Sequence, residues 1–383
     1  MSRISVKDLN DLFGGTVFKL DPSTSFAGIK AASGDVQQGD LFVPIRHGMY
    51  DGHYFIEEAI ENGCIASLWR QGEPRPASIS DKFPLIVVED PETTFQKLAS
   101  YYASTLPSKV ILVVGDYTTQ LVASILQNRL DCSVLHIDSL HYTNIYEAVV
   151  NAPNDQHEYL IMTVVEKEAC ILSSLVKPEV SIVTSTLPSE IVEAIIHDSN
   201  KTFIANEEND LINHDWLHAF NKQVTASINT LQYLGENEIE PISSSDLHIH
   251  VSNVFHSQVI MEDVAFDEER MHYSIGLLAH LGTASSRILM IDEGFLNSSD
   301  HKIIHEFFAK HLPREITEIY AIGEKAFWVV DALKRNASSV KATYYKTHIE
   351  AIRDLYDVLQ SGALLLYKGA NKEMINSIMN ELS

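Results

Sequence analysis

From Lys109 onward, short continuous apolar runs alternate with amphipathic stretches of helical period, and this alternation limits the fold more than any other feature. KVILVVG is a strand and TTQLVASILQNRL a helix after a tight turn; EYLIMTVV and VSIVTS are further strands, with the helix ACILSSLVK between them. Unbroken apolar runs of strand length suit a sheet covered on both faces, and strand–helix–strand units build such sheets in parallel. From about residue 285 the alternation is cleaner still. SRILMIDE, EIYAIG, VKATYY and ALLLYKG read as strands, separated by the helices SSDHKIIHEFFAKHL, EKAFWVVDALKR and HIEAIRDLYDVLQSG, the last ended by Gly362. Between about 225 and 265 alternating stretches such as DLHIHVSNV interrupt the pattern. Before Lys109 the elements are shorter: GDLFVPI, the helix FIEEAIENGC closed by Gly63, FPLIVVED, and a helix from Pro91. The expected fold is α/β in three domains, at 1–107, 108–284 and 285–383, with a central parallel sheet and a Rossmann-like C-terminal domain.

Charge and composition narrow the function. There are 52 acidic against 28 basic side chains, a net charge of −24. Such a surface repels phosphate-rich polymers and anionic bilayers, so neither nucleic acid nor membrane is an expected partner. No apolar run is long enough to span a bilayer, and MSRISVKDLNDLFGG has no apolar core of a secretory signal. Three scattered cysteines without CxxC spacing fit a reducing compartment. A cytoplasmic protein is expected.

Four groups of residues stand out. Asp51–Gly52–His53 read either as a binding turn or as a structural one, in which aspartate caps and glycine supplies a positive φ. His248 and His250, two apart on a strand with His256 downstream, suggest a metal face, but seventeen histidines make such pairs common and no metal is expected. Cys170, near Glu166 and Glu168, lies in an apolar helix and reads as a buried thiol. Lys368–Gly369, at the end of the last strand, reads as a lysine facing water or as a carboxylate-binding group.

The segment GDLFVPIRHGMYDGHYFIEEAIENGC resembles the N-terminal domain of the Mur ligases, in particular the D-alanyl-D-alanine-adding branch. Asp51, Gly52, His53, Phe55, Ile56, Ala59 and Gly63 match that family's DGHxFIxxAxxxGA pattern. SRILMIDE with a following His305, AIGEKA and LLYKGANKEM resemble C-terminal stretches of the same family. The resemblance implies a uridine-binding N-terminal domain, a central ATPase domain and a C-terminal Rossmann-like domain. It implies an activity that uses ATP and Mg²⁺ to join an amine to a carboxylate. It marks Ser33, Asp51, Gly52 and His53 for a nucleotide sugar, Gly115, Thr118 and Thr119 for the phosphate loop, and His305, Lys368 and Gly369 in the last domain.

Against the family pattern the charged positions are altered. VVGDYTT replaces the GxxGKT-type loop; it has no lysine, is about four residues shorter and carries Asp116, an anion where phosphates would sit. Thr163 occupies the magnesium-ligand position, with Glu166 nearby; Glu190 stands for the histidine of TNxxPAH, while Thr184 and Pro188 match. The DDxYNANPxS segment is missing. Gly34 follows Ser33 where DSR has arginine, IDEGFLN replaces GDMLELG, and Ala370–Asn371 end the KGSR motif. The expectation is a Mur-ligase-like pseudoenzyme without a cofactor, acting as a binding, scaffold or regulatory protein in cell-wall or secondary metabolism. Its ligands would be a UDP-sugar or peptide, with a protein partner. The alternative is a divergent ATP-dependent amide ligase.

Overall fold

The computed structural model describes residues 4–13, 20–21, 23–47, 50–115, 118–137, 143–153, 156–165, 168–205, 221–236, 249–262, 268–280, 284–296, 301–310, 312–335 and 340–369. They form two compact units: Met1–Val114 with Leu130–Thr202, and Gly115–Arg129 with Phe203–Ser383.

The first unit opens with β1 (Ile4–Ser5), α1 (Val6–Phe13), β2 (Ser25–Phe26), β3 (Ile29–Lys30), β4 (Leu41–Phe42), β5 (Arg46–His47) and β6 (Tyr50–Asp51). Next come α2 (Ile56–Glu61), β7 (Ala66–Arg70), β8 (Leu85–Val88), α3 (Pro91–Ser104) and β9 (Lys109–Val114). The chain then runs through α4 (Thr118–Gln127), which belongs to the second unit, and returns with β10 (Cys132–Ile137), α5 (Thr143–Val150), β11 (Tyr159–Val164), α6 (Ala169–Val176), β12 (Val180–Val183) and α7 (Ser189–Asp198). β13 (Lys201–Ile204) closes a sheet of order β10-β11-β9-β12-β13. Its pairings β10–β11, β11–β9 and β9–β12 are parallel, as the apolar runs predict. A smaller parallel sheet, β3-β4-β7-β8, stands before it.

The boundary expected at 107/108 falls inside one packed unit. Phe95 and Leu98 of α3, Ile145 and Val149 of α5, and Leu160 and Met162 of β11 share a core with Leu41 and Leu68 of the small sheet. Polar contacts tie the same parts together. Asn151 pairs with Ile29 as a neighbouring strand would, accepting from its N–H at 2.9 Å and donating to its carbonyl at 2.8 Å. Lys30 Nζ meets Glu147 at 2.6 Å.

The second unit comprises α4, α8 (Asn221–Tyr233), β14 (Ile249–Val254), β15 (Ser257–Glu262), α9 (Glu268–His280), β16 (Arg287–Asp292) and α10 (His301–Lys310). β17 (Glu318–Ile322), α11 (Phe327–Arg335), β18 (Lys341–Tyr345), α12 (His348–Gln360) and β19 (Leu364–Lys368) complete it. The sheet runs β14-β15-β19-β16-β17-β18, parallel except for the β14–β15 hairpin. The Rossmann-like alternation after Arg287 is present, but the sheet starts at Ile249, ahead of the expected boundary at 285. Period-2 patterning identifies a strand without naming its partner, and here β15 pairs with β19. Leu121 and Ile125 of α4 lie in the same core as Val224, Ile228, Met271 and Ile275.

Candidate functional site

In the first unit the turn after β6 is built around Asp51. Its carboxylate accepts from the His53 backbone N–H at 3.0 Å and lies 2.6 Å from His53 Nδ1, while Arg46 Nε donates to it at 2.7 Å. Asp51 thus caps a 3-10 turn over Gly52–Phe55, as the structural reading expects. Partial burial pushes its pKa up, but the hydrogen bonds from His53 and Arg46 outweigh that and hold it below the usual carboxylate value. A lowered pKa contributes stability that is present above the unfolded value and lost as pH falls toward the folded one. Asp51→Asn is therefore expected to flatten the acid limb of a stability-versus-pH curve near pH 4 and leave neutral pH less affected; an unchanged acid limb would contradict this.

Gly52 departs from the expected reason for a glycine. It is not among the positive-φ residues; instead a Cβ there would lie 2.8 Å from Ile45 N and 2.9 Å from Pro44 Cα. These contacts are backbone and cannot yield cheaply. Gly52→Ala is expected to cost about 1–3 kcal/mol, measurable by urea unfolding; a neutral result would mean that β5 and the turn separate freely.

His53 is 4% exposed and packs edge-on against Trp69, ring centroids 4.7 Å apart. Its Nε2 is buried without a hydrogen-bond partner among the described residues. Ser33 donates to Glu58 at 2.6 Å, and its carbonyl accepts from Asn62 at 3.0 Å. The nucleotide-sugar candidates therefore have internal structural work: Asp51 and His53 hold each other, and Ser33 is tied to α2.

The residues that the resemblance marks for phosphate and metal lie around the end of β9, the start of α4 and the end of β11. Between Val114 of β9 and Thr118 of α4 stand only Gly115, Asp116 and Tyr117, of which the latter two lie outside the described residues. Gly115 has φ +155°, and Thr118 and Thr119 are buried in the first turn of α4. A GxxxxGK[ST] loop uses about eight residues to wrap phosphate and brings a lysine to it. Thr184 occupies the Val114 carbonyl, with N–H and hydroxyl bonds of 2.8 and 3.3 Å. Thr163, which the resemblance sets at a magnesium-ligand position, pairs its hydroxyl with His136 Nδ1 at 2.8 Å. Glu190 is exposed on the first turn of α7, and Glu166 lies outside the described residues. The link after β9 thus contains no lysine, and Thr163 presents a hydroxyl and not a carboxylate.

The second unit contains a polar cluster that sequence reasoning largely missed. Lys368 is 1% exposed, which corrects the expectation of a lysine facing water. Its Nζ forms an ion pair with Glu262 of β15, and Ser274 of α9 donates to the same carboxylate oxygen. Nζ also stands 5.2 Å over the Phe295 ring. One strand away, buried Asp292 lies 2.7 Å from His348 Nε2, and its other oxygen accepts from the Gly294 N–H at 2.5 Å. The Tyr367 hydroxyl approaches Asp292 at 3.4 Å, and burial together with that carboxylate raises the tyrosine pKa. A Cβ at Gly369 would lie 2.0 Å from the Tyr367 hydroxyl, so a side chain there requires the tyrosine ring to move. The cluster sits at the carboxyl ends of β15, β19 and β16, where the strand order reverses and open α/β sheets commonly bind ligands. His305 is elsewhere: it faces Asp331 of α11, with Nε2 and Oδ2 3.8 Å apart. The signal for Glu262 was a carboxylate ending the apolar run SQVIME; Asp292 and His348 gave none.

The other expectations resolve simply. Burial pushes the Cys64 thiol up to about 12 and Cys132 to about 11, and also raises Cys170, so all three are poor nucleophiles at neutral pH. His248 and the side chain of His250 lie outside the described residues, and His256 is exposed at the β14–β15 turn. No described helix is long and apolar enough to cross a membrane.

No protein-family model matches the chain. Among curated proteins it is similar to the UDP-N-acetylmuramoyl-tripeptide–D-alanyl-D-alanine ligase of Bacillus subtilis (strain 168), 24% identical over 282 residues, which are 72% of this chain and 58% of that protein. It is also similar to the UDP-N-acetylmuramoyl-L-alanyl-D-glutamate–2,6-diaminopimelate ligase of Aquifex aeolicus (strain VF5), 36% identical over 106 residues, or 26% of this chain and 20% of that one. The chain thus matches little more than half the length of the first relative. A solved structure of MurF from Acinetobacter baumannii aligns over 99% of this chain and 98% of its own, with 18% identity and a TM-score of 0.49.

Proposed function

We propose that this chain, a relative of the Mur ligases, binds a nucleotide-sugar or peptide ligand on the three-part frame of that family but does not run its ATP-dependent step. The observation that carries this reading is the three-residue link between β9 and α4. A phosphate cradle needs a run of backbone N–H groups and a cation, and Gly115–Asp116–Tyr117 has too few of the first and none of the second. Thr163 where the family has a metal carboxylate supports the same reading. The role would be that of a binding, scaffold or regulatory protein of cell-wall or secondary metabolism, working in the cytoplasm with a protein partner.

A second reading has its own support. Both curated relatives carry ligase names, which favours an ATP-dependent amide ligase over a non-catalytic protein. That enzyme would hold ATP with groups other than the β9–α4 link. ATP consumption with Mg²⁺ in the presence of a UDP-N-acetylmuramoyl-peptide and D-alanyl-D-alanine separates the two: turnover supports the ligase, and its absence supports the binding protein.

For the nucleotide sugar the expected affinity is low. Gly34 stands where the family's DSR arginine would be, and a charged hydrogen bond of that kind contributes about 1.5–3 kcal/mol. His53 is committed to Asp51 and Trp69. Calorimetry with UDP-N-acetylmuramoyl-peptide should show weak binding, and His53→Ala should lower the melting temperature more than the affinity. Tight binding abolished by His53→Ala would instead mean that this turn is a working uridine site.

A further inference from the structure

We propose that the open edge of β8 accepts an extended segment of another protein, which joins the sheet β3-β4-β7-β8 as a further strand. The inference is independent of the ligand and ATP readings above. β8 is the last strand of that sheet and pairs with β7 on one side only. Pro84 and Val88 give their carbonyls to the N–H groups of Ser67 and Gln71, at 3.2 and 2.7 Å. Successive peptide groups of a strand turn to opposite edges, so Leu85, Val87 and Glu89 direct their N–H and C=O groups away from β7. Among the described residues these groups form no hydrogen bond.

The edge is also unguarded. Edge strands are normally blunted by a charge, a proline or a bulge within the strand. β8 reads LIVV from Leu85 to Val88 and stays in unbroken register with Ser67–Arg70. Val87 is 63% exposed, on the face opposite to Ile86, whose side chain lies in the core. An apolar side chain thus stands beside open main-chain donors and acceptors.

The chemistry of the edge selects its occupant. Its open groups recur at every second residue, about 6.7 Å apart, and an extended polypeptide carries the complementary set. A β-branched side chain of that segment would cover Val87. Exposed Glu89, just past the strand, and the net charge of −24 favour a segment with a lysine or arginine at its end. The same net charge sets two copies of this chain against each other, so the added strand belongs to a different protein.

Amide exchange of the full chain, followed by NMR with the capped peptide Lys-Val-Thr-Val-Thr-Val-Lys, tests this. Salt of about 0.15 M mutes general attraction of the peptide to the acidic surface. The expected result is saturable binding below about 1 mM. The Leu85, Val87 and Glu89 amides should slow about tenfold when the peptide is at ten times its dissociation constant. Val87→Pro removes one outward N–H and no bond of the β7–β8 ladder, and should weaken binding about fivefold, with melting curves to establish that it is folded. The same peptide N-methylated at every internal residue keeps its charge but has no internal donors, and should not bind the parent chain. Unaltered exchange at these three amides, or equal binding of the N-methylated peptide, would overturn the proposal.

Discussion

Replacing Lys368 with alanine is expected to lower the stability of the second unit by about 3–5 kcal/mol, which corresponds to a fall of roughly 10 °C in its melting temperature. Lys368 and Glu262 have side chains 1% exposed, so the substitution leaves a carboxylate in the interior without its cation, though the Ser274 hydroxyl still donates to it. The loss measures an unpaired buried charge more than the worth of the pair, since two charges withdrawn from water recover little beyond their desolvation. The paired replacement Lys368→Met with Glu262→Gln should therefore regain most of the loss, because Met replaces the lysine stem beside Phe295 without a charge and Gln still accepts from Ser274. Urea unfolding followed by far-UV dichroism checks both variants. A Lys368→Ala protein as stable as the parent would show that the ammonium group reaches water, restoring the reading that the sequence suggested.

That misreading shows where sequence reasoning runs out. The run ALLLYKG identifies β19 and places Lys368 at its end, but not what lies opposite. Its partner is 106 residues away, on a hairpin that joins the sheet beside β19. Burial of a charged side chain depends on such long-range pairing, and one-dimensional patterns do not carry it. The same limit explains the domain boundaries. KVILVVG, VSIVTS and SRILMIDE were legible as buried parallel strands because their periodicity is local, whereas the contacts of Asn151 with Ile29 have no local signature. Turns were intermediate. Asp51 as a cap was readable from residue type; the requirement for Gly52 lay in the approach of Pro44 and Ile45, not in its own dihedral angle. Gly63 and Gly362, with φ of +110° and +84°, end their helices as residue type alone predicts.

In the candidate sites the neighbours of the positions carried by the resemblance give them structural partners. Ser33 and His53 turn inward to Glu58 and Asp51. His305 joins Asp331 and not Lys368. The cluster of Asp292, His348 and Tyr367 draws on three separate elements, so it becomes visible only when β16, α12 and β19 are placed side by side.

The central claim is that the β9–α4 link cannot hold a triphosphate. Thr118 and Thr119 are the residues that the resemblance assigns to the phosphate loop, but the sequence Gly115–Asp116–Tyr117 supplies no cation and includes an acidic residue, whereas phosphate binding favours positive charge. The most direct measurement is calorimetric titration of the full chain with ATP and Mg²⁺, repeated with UDP-N-acetylmuramoyl-peptide present so that any ligand-dependent site is also sampled. The account predicts no saturable heat below millimolar ATP in either case, and no release of phosphate. A micromolar dissociation constant, or ADP formation that depends on the second substrate, would contradict it and establish the chain as an ATP-dependent ligase with a rebuilt nucleotide site.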